Sequence, residues 1–416
     1  MTVVEFFDGV SINNMVSCLA IKPEKIIFIG QKKMMKKQEE AYRRFVNRHG
    51  IKVDFEFRPA NLTNLTKLVD LLTEIVESEN ECTFDLTGGQ DTVLVAMGIV
   101  YERYRTTKRV QMHRFNINTG IASDFDNDGI LPPAEMPELT VEDNITLYGG
   151  SIVPYDGNKG TFIWDIDETF EQDVRNMWNI CKKNTALWNA EIIATASVSK
   201  RVNPEQPELY AKVNKQRLET VLTTSNVKEK DFRRFLDFLH RYELIHNLKN
   251  SDGGIEFSFK NSQVKRCLTK AGNVLELMML FSARNATDKQ GNKRYNDTVV
   301  GAFIDWDASL HDFDDKEKDT ENEVDLVLMR GIVPVFVSCK NGNVDENELY
   351  KLNTVASRFG GPYAKKVLVI TSAANQNKNS YDFLHQRADD MKIQILENAD
   401  TLSDDELERK ISNILC

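Results

Sequence analysis

Strands and helices alternate regularly along the first third of the chain, and this alternation constrains the fold more than any other feature. The β-type runs TVVEFF, KIIFIG and CTFDL are each followed by a helical stretch. Strands separated by helices of about 10–15 residues are typical of βαβ units around a parallel, doubly wound sheet. We therefore predict an α/β fold that begins with a Rossmann-like domain over residues 1–135.

Length and charge narrow the remaining possibilities. A chain of 416 residues exceeds a single ordinary core, so we expect two or three domains. The net charge of −10 argues against a protein that coats nucleic acid nonspecifically, because phosphate binding relies on clustered Lys and Arg. The sequence has no long apolar run and no signal-peptide pattern at its start, which predicts a cytoplasmic protein without a membrane partner.

The sequence of the middle of the chain, residues 136–265, predicts its secondary structure less clearly. Short strands are expected in TLYGGSIV and GTFIWDI, followed by helices. Further on, FRRFLDFLHRYELIH precedes NLKNSDGGIEFSFKN, whose DGG is a strong hairpin signal. Helices followed by such a hairpin predict a winged-helix-like segment. It could read DNA, or act as a spacer or dimerising element.

Residues 266–416 follow the order α, β-meander, α, β, which predicts a small mixed sheet flanked by helices. Two strands, in NEVDLVLMRGIVPVFVSCKNG, are joined by a turn. Because side chains alternate across a strand, Glu323 and Asp325 share one face of the first strand, and Ser338 and Lys340 share one face of the second. Two acids near a lysine suit phosphodiester hydrolysis with Mg²⁺ or Mn²⁺. Alternatively, Lys340 simply leaves the sheet at its end.

A third acidic residue belongs to the same hypothesis. Glu276 lies within the apolar helix VLELMMLF, where a carboxylate is out of place unless it faces a metal or another cation. The alternative is that Glu276 occupies a solvated side of that helix.

This C-terminal pattern resembles the PD-(D/E)xK nuclease superfamily, in which a helix carries Glu, a hairpin carries Asp, and a strand carries (D/E)xK. Glu276, Asp325 and Ser338-Cys339-Lys340 match these elements, with serine in place of the usual acid. The resemblance implies a restriction-endonuclease-like domain in which Glu276, Asp325 and the Cys339 carbonyl bind the metal. Lys340 would orient the attacking water. Ser338 departs from the pattern, so metal binding would depend on Glu276 or Glu323, or would be weaker than usual.

The first domain carries a second candidate site where strand CTFDL runs into a glycine-rich turn and a helix. Paired glycines let backbone N–H groups approach an anion at a helix N-terminus. A tight turn between any strand and helix also favours glycine, so a purely structural role stays open. Two further polar loops would lie at the same sheet edge. The predicted ligand-binding residues are Ser11, Asn13, Gly30, Gln31, Thr87, Gly88, Gly89, Gln90 and Asp91. Asp91 could instead cap its helix.

DLTGGQD resembles the ligand-binding motif of CARF sensor domains, and the whole order of segments resembles the ancillary nucleases of type III CRISPR systems. The resemblance implies a homodimer whose sensor domains bind cyclic tetra-adenylate and whose nuclease domains then cut DNA, RNA or both. The alternative is a non-catalytic, ligand-responsive DNA-binding regulator with a degenerate nuclease domain. A third possibility is that Ser11 and Asp91 also degrade the ligand.

Overall fold

The computed structural model describes residues 1–124, 129–130, 138–200, 207–309, 320–372 and 378–415. The predicted boundary at 135/136 and most of the acidic loop at 311–322 lie outside these residues.

The alternation predicted for the N-terminal third is confirmed. Seven strands form one sheet in the order β3-β2-β1-β4-β5-β6-β7. The first five are parallel, and the last two pair antiparallel at the edge. The strands are β1 Thr2–Phe6, β2 Lys25–Gly30, β3 Asp54–Pro59, β4 Glu81–Asp85, β5 Arg109–Asn116, β6 Ile121–Asp124 and β7 Gly129–Ile130. The helices are α1 Ser11–Ile21, α2 Lys32–Arg48, α3 Leu65–Ser78 and α4 Asp91–Tyr104.

Helices cover both faces of this sheet because successive strand residues point in opposite directions. Val3 packs in a core with α1 and α2, whereas its neighbour Val4 packs with α3 and α4. The strand order turns between β1 and β4, and it is there that the loops with the predicted ligand residues meet.

The next segment differs from the prediction in one respect. Strands were expected in TLYGGSIV and in GTFIWDI, but only Ser151–Ile152 (β8) forms one. The beginning of TLYGGSIV belongs to helix α5, Val141–Leu147. A capping box at Thr140 and Asp143 starts that helix, so local capping outweighs the β-type composition of TLYGG. GTFIWDI makes only an isolated bridge, between Thr161 and Pro154. Helices α6 Glu168–Cys181 and α7 Thr185–Val198 follow.

The predicted hairpin is confirmed. Strands β10 and β11 pair antiparallel across the DGG turn, and β11 also pairs with β9. The elements of this unit are β9 Tyr210–Asn214, α8 Lys215–Thr224, α9 Glu229–Arg241, β10 Ile245–Ser251 and β11 Gly254–Phe259. Gly254, at φ +140°, has Val213 O only 2.2 Å from where a Cβ would lie, so no other residue fits there without movement.

The C-terminal part forms a six-stranded mixed sheet in the order β16-β15-β14-β13-β12-β8. The meander, the following helix and the parallel strand agree with the prediction. The strands are β12 Asp297–Asp305, β13 Glu321–Arg330, β14 Val333–Lys340, β15 Lys365–Ile370 and β16 Ile393–Leu396. The helices are α10 Ser262–Cys267, α11 Asn273–Asn285, α12 Glu346–Gly360, α13 Lys378–Asp390 and α14 Asp404–Ser412. The predicted boundary at 265/266 falls within α10.

One continuous core joins the two larger sheets. It contains Phe7 and Met15 from the first sheet and its helices, and Val327, Phe336 and Phe359 from the second. The opposite face of the second sheet packs on α6, α7 and α11. None of the described helices is both long enough and apolar enough to span a membrane.

Candidate functional site

Asp325 is the centre of the polar cluster at the end of the β13–β14 pair. Its Oδ2 accepts hydrogen bonds from the Cys339 N–H at 2.7 Å and from the Ser338 hydroxyl at 3.1 Å. The same oxygen lies 3.5 Å from Lys340 Nζ. The structure therefore brings Asp325, Ser338 and Lys340 together, as strand alternation predicts. The Ser338 hydroxyl donates its hydrogen bond to Asp325, and Ser338 supplies no carboxylate to the cluster.

Lys340 turns its side chain toward carboxylates and does not simply leave the sheet. Besides Asp325, it pairs with Glu348 near the start of α12, at 3.1 Å. Burial lowers the pKa of Lys340, but the negative charges of Asp325 and Glu348 outweigh this effect and hold the pKa above its ordinary value. Lys340 is therefore a cation at neutral pH. Glu348 was missed in the sequence because it lies in the first turn of an amphipathic helix, where acids are common for helix stability alone.

Glu276 is buried, with 5% of its surface exposed, and the interpretation that it lies on a solvated side of its helix is wrong. Every residue of α11 from Asn273 through Ala283 is buried, so the helix has no solvated side there. Burial, followed by the charge of Asp325, raises the pKa of Glu276 to about 8.

Glu323 lies at the rim of this cluster. Its side chain is 44% exposed and pairs with Lys270 at 2.6 Å. Over the described ranges, no three His, Cys, Asp or Glu side chains converge closely enough to hold a metal ion by themselves. The two inner carboxylates are Glu276 and Asp325, and the position that would supply a third carries Ser338.

The glycine-rich turn of the first domain packs closely against the loop after β1. A Cβ on Gly88 would lie 2.9 Å from Asp8 Oδ2 and 3.3 Å from Asn13 Cβ. A Cβ on Gly30 would lie 2.8 Å from Phe7 Cβ. Gly89 has a φ of +138°. These glycines are required by close packing, whatever ligand the loops bind.

The predicted ligand residues do meet at the carboxyl ends of the strands, but they differ in exposure. Ser11 is 1% exposed and accepts a hydrogen bond from Gln38 at 3.0 Å. Gln31, Gln90 and Asp91 are exposed. Asp91 is not the N-cap of α4, because Gln90 occupies that position and Asp91 is the first helical residue. The capping interpretation of Asp91 is therefore wrong.

A buried polar network under this turn was not predicted. The Asp85 carboxylate accepts hydrogen bonds from the Ser17 hydroxyl and, at 2.7 Å, from the Thr87 N–H. His113 Nε2 lies 3.1 Å from Ser17 Oγ and 3.6 Å from Asp85 Oδ2. Burial raises the pKa of Asp85. The hydrogen bond and charge of His113, followed by the hydrogen bonds from Ser17 and Thr87, outweigh burial and hold the pKa below its ordinary value.

Glu5, on the central strand, is in register with Asp85 on the neighbouring strand β4. Burial, and then the charge of Asp85, raise the pKa of Glu5 well above its ordinary value. None of the described donors reaches its oxygens, so a protonated Glu5 can donate to Asp85. The network fixes the end of β4, from which the glycine-rich turn departs.

Helix α12 extends from the Asp325–Lys340 cluster to the loop after β1. Its first turn carries Glu348, and the residues just past its other end pack on the loop after β1. A Cβ added to Gly361 would lie 3.3 Å from Val10 Cγ1, so the two residues are in close contact. Burial raises the pKa of Tyr363, and a hydrogen bond from the Asn13 side chain opposes this rise. Asn144 also donates to the Phe359 carbonyl at 2.6 Å. The two candidate sites are thus connected by one helix of 15 residues.

Fold and sites together define a chain with a doubly wound α/β domain, a small three-stranded unit and a mixed α/β domain. The full length of the chain superposes on protein VC1899 from Vibrio cholerae with a TM-score of 0.72 and 17% identity, covering 96% of that protein. It also superposes over its full length on Can2 from Sulfobacillus thermosulfidooxidans, a structure in complex with cyclic tetra-adenylate, with a TM-score of 0.66 and 15% identity, covering 99% of that chain. At these identities the similarity establishes a shared fold.

A third structure, a type III CRISPR defence DNA nuclease activated by cyclic oligoadenylate, gives a TM-score of 0.46 at 14% identity over 89% of this chain and 45% of that one. That score does not establish a shared fold. No protein-family model and no curated protein sequence matches the chain.

Proposed function

We propose that the protein is a cyclic oligoadenylate-activated, divalent-metal-dependent endonuclease of type III CRISPR defence that cuts DNA, RNA or both. The observation that carries the proposal is the pairing of Asp325 with Lys340 at one end of the C-terminal sheet, together with the burial of Glu276. Lys340 Nζ lies 3.5 Å from Asp325, and the charges of both residues act on the buried Glu276. Placing a charge in a buried site is costly, and a divalent ion would compensate for it.

The donor set fits a hard divalent cation. Glu276 and Asp325 offer carboxylate oxygens, and the Cys339 carbonyl is the proposed third donor, which suits Mn²⁺ or Mg²⁺. When bound, such an ion would neutralise phosphate charge and favour hydroxide formation. Lys340 would hold the attacking water and stabilise the negative charge that develops on the phosphate. Glu323, at the rim, would contribute only weakly because of its pairing with Lys270.

Ligand control is supported by the first domain. Ser11, Asn13 and the glycine-rich turn lie at the strand ends where doubly wound sheets bind ligands. Can2, whose fold this chain shares, is a cyclic tetra-adenylate complex. The N-terminal domain would accordingly be CARF-like, the unit at 207–262 winged-helix-like, and the C-terminal domain restriction-endonuclease-like. A two-fold cyclic ligand would be bound across a homodimer.

The connection through α12 supports coupling of the two sites. Val10, in the loop after β1, packs against Gly361 just past one end of the helix, and Glu348 contacts Lys340 near the other. A ligand that binds one arrangement of the sensor loop more tightly would also favour one position of α12.

A plasmid-cleavage assay tests the proposal. Purified protein is incubated with Mn²⁺ and supercoiled plasmid, with and without cyclic tetra-adenylate, and Lys340→Ala is compared with Lys365→Ala, which changes an exposed lysine on the neighbouring strand. Cutting should require both Mn²⁺ and ligand, be lost in Lys340→Ala and persist in Lys365→Ala. A folded wild-type dimer that cuts neither plasmid nor single-stranded RNA under any condition would overturn the proposal.

Ser338 favours one alternative, a ligand-responsive regulator whose nuclease domain is degenerate. With serine at this position, no third carboxylate comes from β14. The regulator would bind a DNA fragment in a ligand-dependent gel shift without cutting it, so the same samples distinguish the two functions.

A further inference from the structure

The carboxylate that β14 lacks at Ser338 has a counterpart on the next helix. Glu348 is in the first turn of α12, and its Oε2 lies 3.1 Å from Lys340 Nζ. This distance is shorter than the 3.5 Å between Lys340 and Asp325. Lys340 therefore has its nearest carboxylate partner on a helix, and the strand hairpin supplies the more distant one.

Further contacts around Glu348 favour this position. Its second oxygen, Oε1, lies 2.8 Å from Lys351 Nζ, one turn along the helix. The Asp345 side chain accepts the Asn347 N–H at 3.0 Å and thereby caps the helix. Leu349, adjacent to Glu348, is fully buried in the core that joins the two sheets. The Glu348 side chain is 21% exposed, so water only partly screens its pairing with Lys340.

Asp325 already has several partners, so a second carboxylate is needed to hold the Lys340 ammonium. A single oxygen of Asp325 already receives the Ser338 hydroxyl, the Cys339 N–H and the Lys340 ammonium. An oxygen engaged by a metal ion as well would hold the ammonium less firmly. The Ser338 and Cys339 donors bind Asp325 and not Glu348. Glu348 can therefore hold the Lys340 ammonium in place while Asp325 binds the metal.

We propose that Glu348 is the positioning residue of Lys340, and that it supplies from α12 the negative charge that this chain lacks at Ser338. The inference rests on the proposed nuclease function, since it assigns Lys340 the task of holding the attacking water. Glu348 itself acts through Lys340 and is not assigned contact with the substrate.

The test compares Glu348→Gln with Glu346→Gln. Both replace an acid by its neutral isostere in the first turn of α12, but Glu346 pairs with Arg387 and not with Lys340. In Glu348→Gln we expect kcat to fall by about tenfold or more, with little change in KM for the nucleic acid, because a catalytic group loses its orientation. The basic limb of the pH–rate profile should move to lower pH, since the ammonium loses a counter-charge. Glu348→Asp should retain part of the activity and the wild-type pH profile.

A readout without metal or substrate keeps the inference separate from the proposed function. Competitive acylation of lysines in metal-free protein, followed by peptide mass spectrometry, reports how readily Lys340 loses its proton. Lys340 should be acylated several times faster in Glu348→Gln than in wild type or Glu346→Gln. If wild type cuts, but Glu348→Gln matches Glu346→Gln in rate, pH profile and acylation, the inference is wrong. If wild type never cuts, the proposed function fails, and unchanged acylation would then overturn the pairing as well.

Discussion

The protonation of Glu276 makes metal binding depend steeply on pH. Burial and the charge of Asp325 raise the pKa of this carboxyl to about 8. A carboxyl must lose its proton before it can bind a metal ion. At pH 7, only about one molecule in ten would carry ionised Glu276. Under the proposed assignment, binding of Mn²⁺ should therefore displace a proton from Glu276.

The expected magnitude follows from that pKa. One pH unit below the pKa, deprotonation costs about 1.4 kcal/mol, which is a tenfold weakening of metal affinity. The affinity for Mn²⁺ should therefore rise about tenfold from pH 6 to pH 7, and level off above about pH 8. At pH 7, each bound Mn²⁺ should release most of one proton, because Glu276 is mainly protonated before the metal binds.

Isothermal titration calorimetry in buffers of different ionisation enthalpy measures both quantities. Glu276→Gln should bind Mn²⁺ more weakly and release almost no proton, whereas Glu346→Gln should behave like wild type. An affinity that is independent of pH between about pH 6 and pH 8, or proton release near zero at pH 7 in wild type, would refute the reasoning.

The same residue gives a metal-free readout. Because folding raises the pKa of Glu276 from an ordinary value of 4.5 to about 8, the folded state binds the extra proton between these pH values. The contribution of this carboxyl to stability is thus most favourable below pH 4.5, and it declines as the pH rises toward 8. Glu276→Gln should gain stability relative to wild type over that interval, as urea denaturation would show; a constant difference would contradict the assignment.

Three further outcomes are expected. Gly88→Ala should lower the affinity for cyclic tetra-adenylate by about tenfold or more, because the added Cβ would lie 2.9 Å from Asp8 Oδ2 and displace the loop after β1. The control is Gly98→Ala on α4, where a Cβ meets no atom within 4 Å. This control should keep the ligand affinity and stabilise the fold by about 0.5–1 kcal/mol. Ser17→Ala should lower the free energy of unfolding by about 1–3 kcal/mol, since buried polar groups lose a partner; an unchanged urea midpoint would contradict this. Tyr363→Phe should leave ligand affinity and basal cleavage unchanged but reduce ligand stimulation by about fivefold, and full stimulation would argue against coupling through α12.

Elements with strong periodicity were predictable because local physics decides them. Strands β1 and β2 are largely apolar, and the helices that follow them have the spacing of βαβ units, so sequence pattern and structure agree. The same holds for the β13–β14 hairpin, where strand alternation alone placed Asp325 near Lys340. The strand predicted over TLYGGSIV is confirmed only at Ser151–Ile152, because the helix that the capping box at Thr140 starts continues through Leu147.

The order of segments, the glycine-rich turn and the residue types of the candidate catalytic set could be predicted from the sequence alone, since each of these depends on neighbours within a few positions. The burial of Glu276, the pairing of Glu348 with Lys340 and the packing of Gly361 against Val10 depend on tertiary packing. The two pairings join residues 8 and 351 positions apart. Their formation depends on how helices pack against sheets, which the spacing of residues along one chain does not specify.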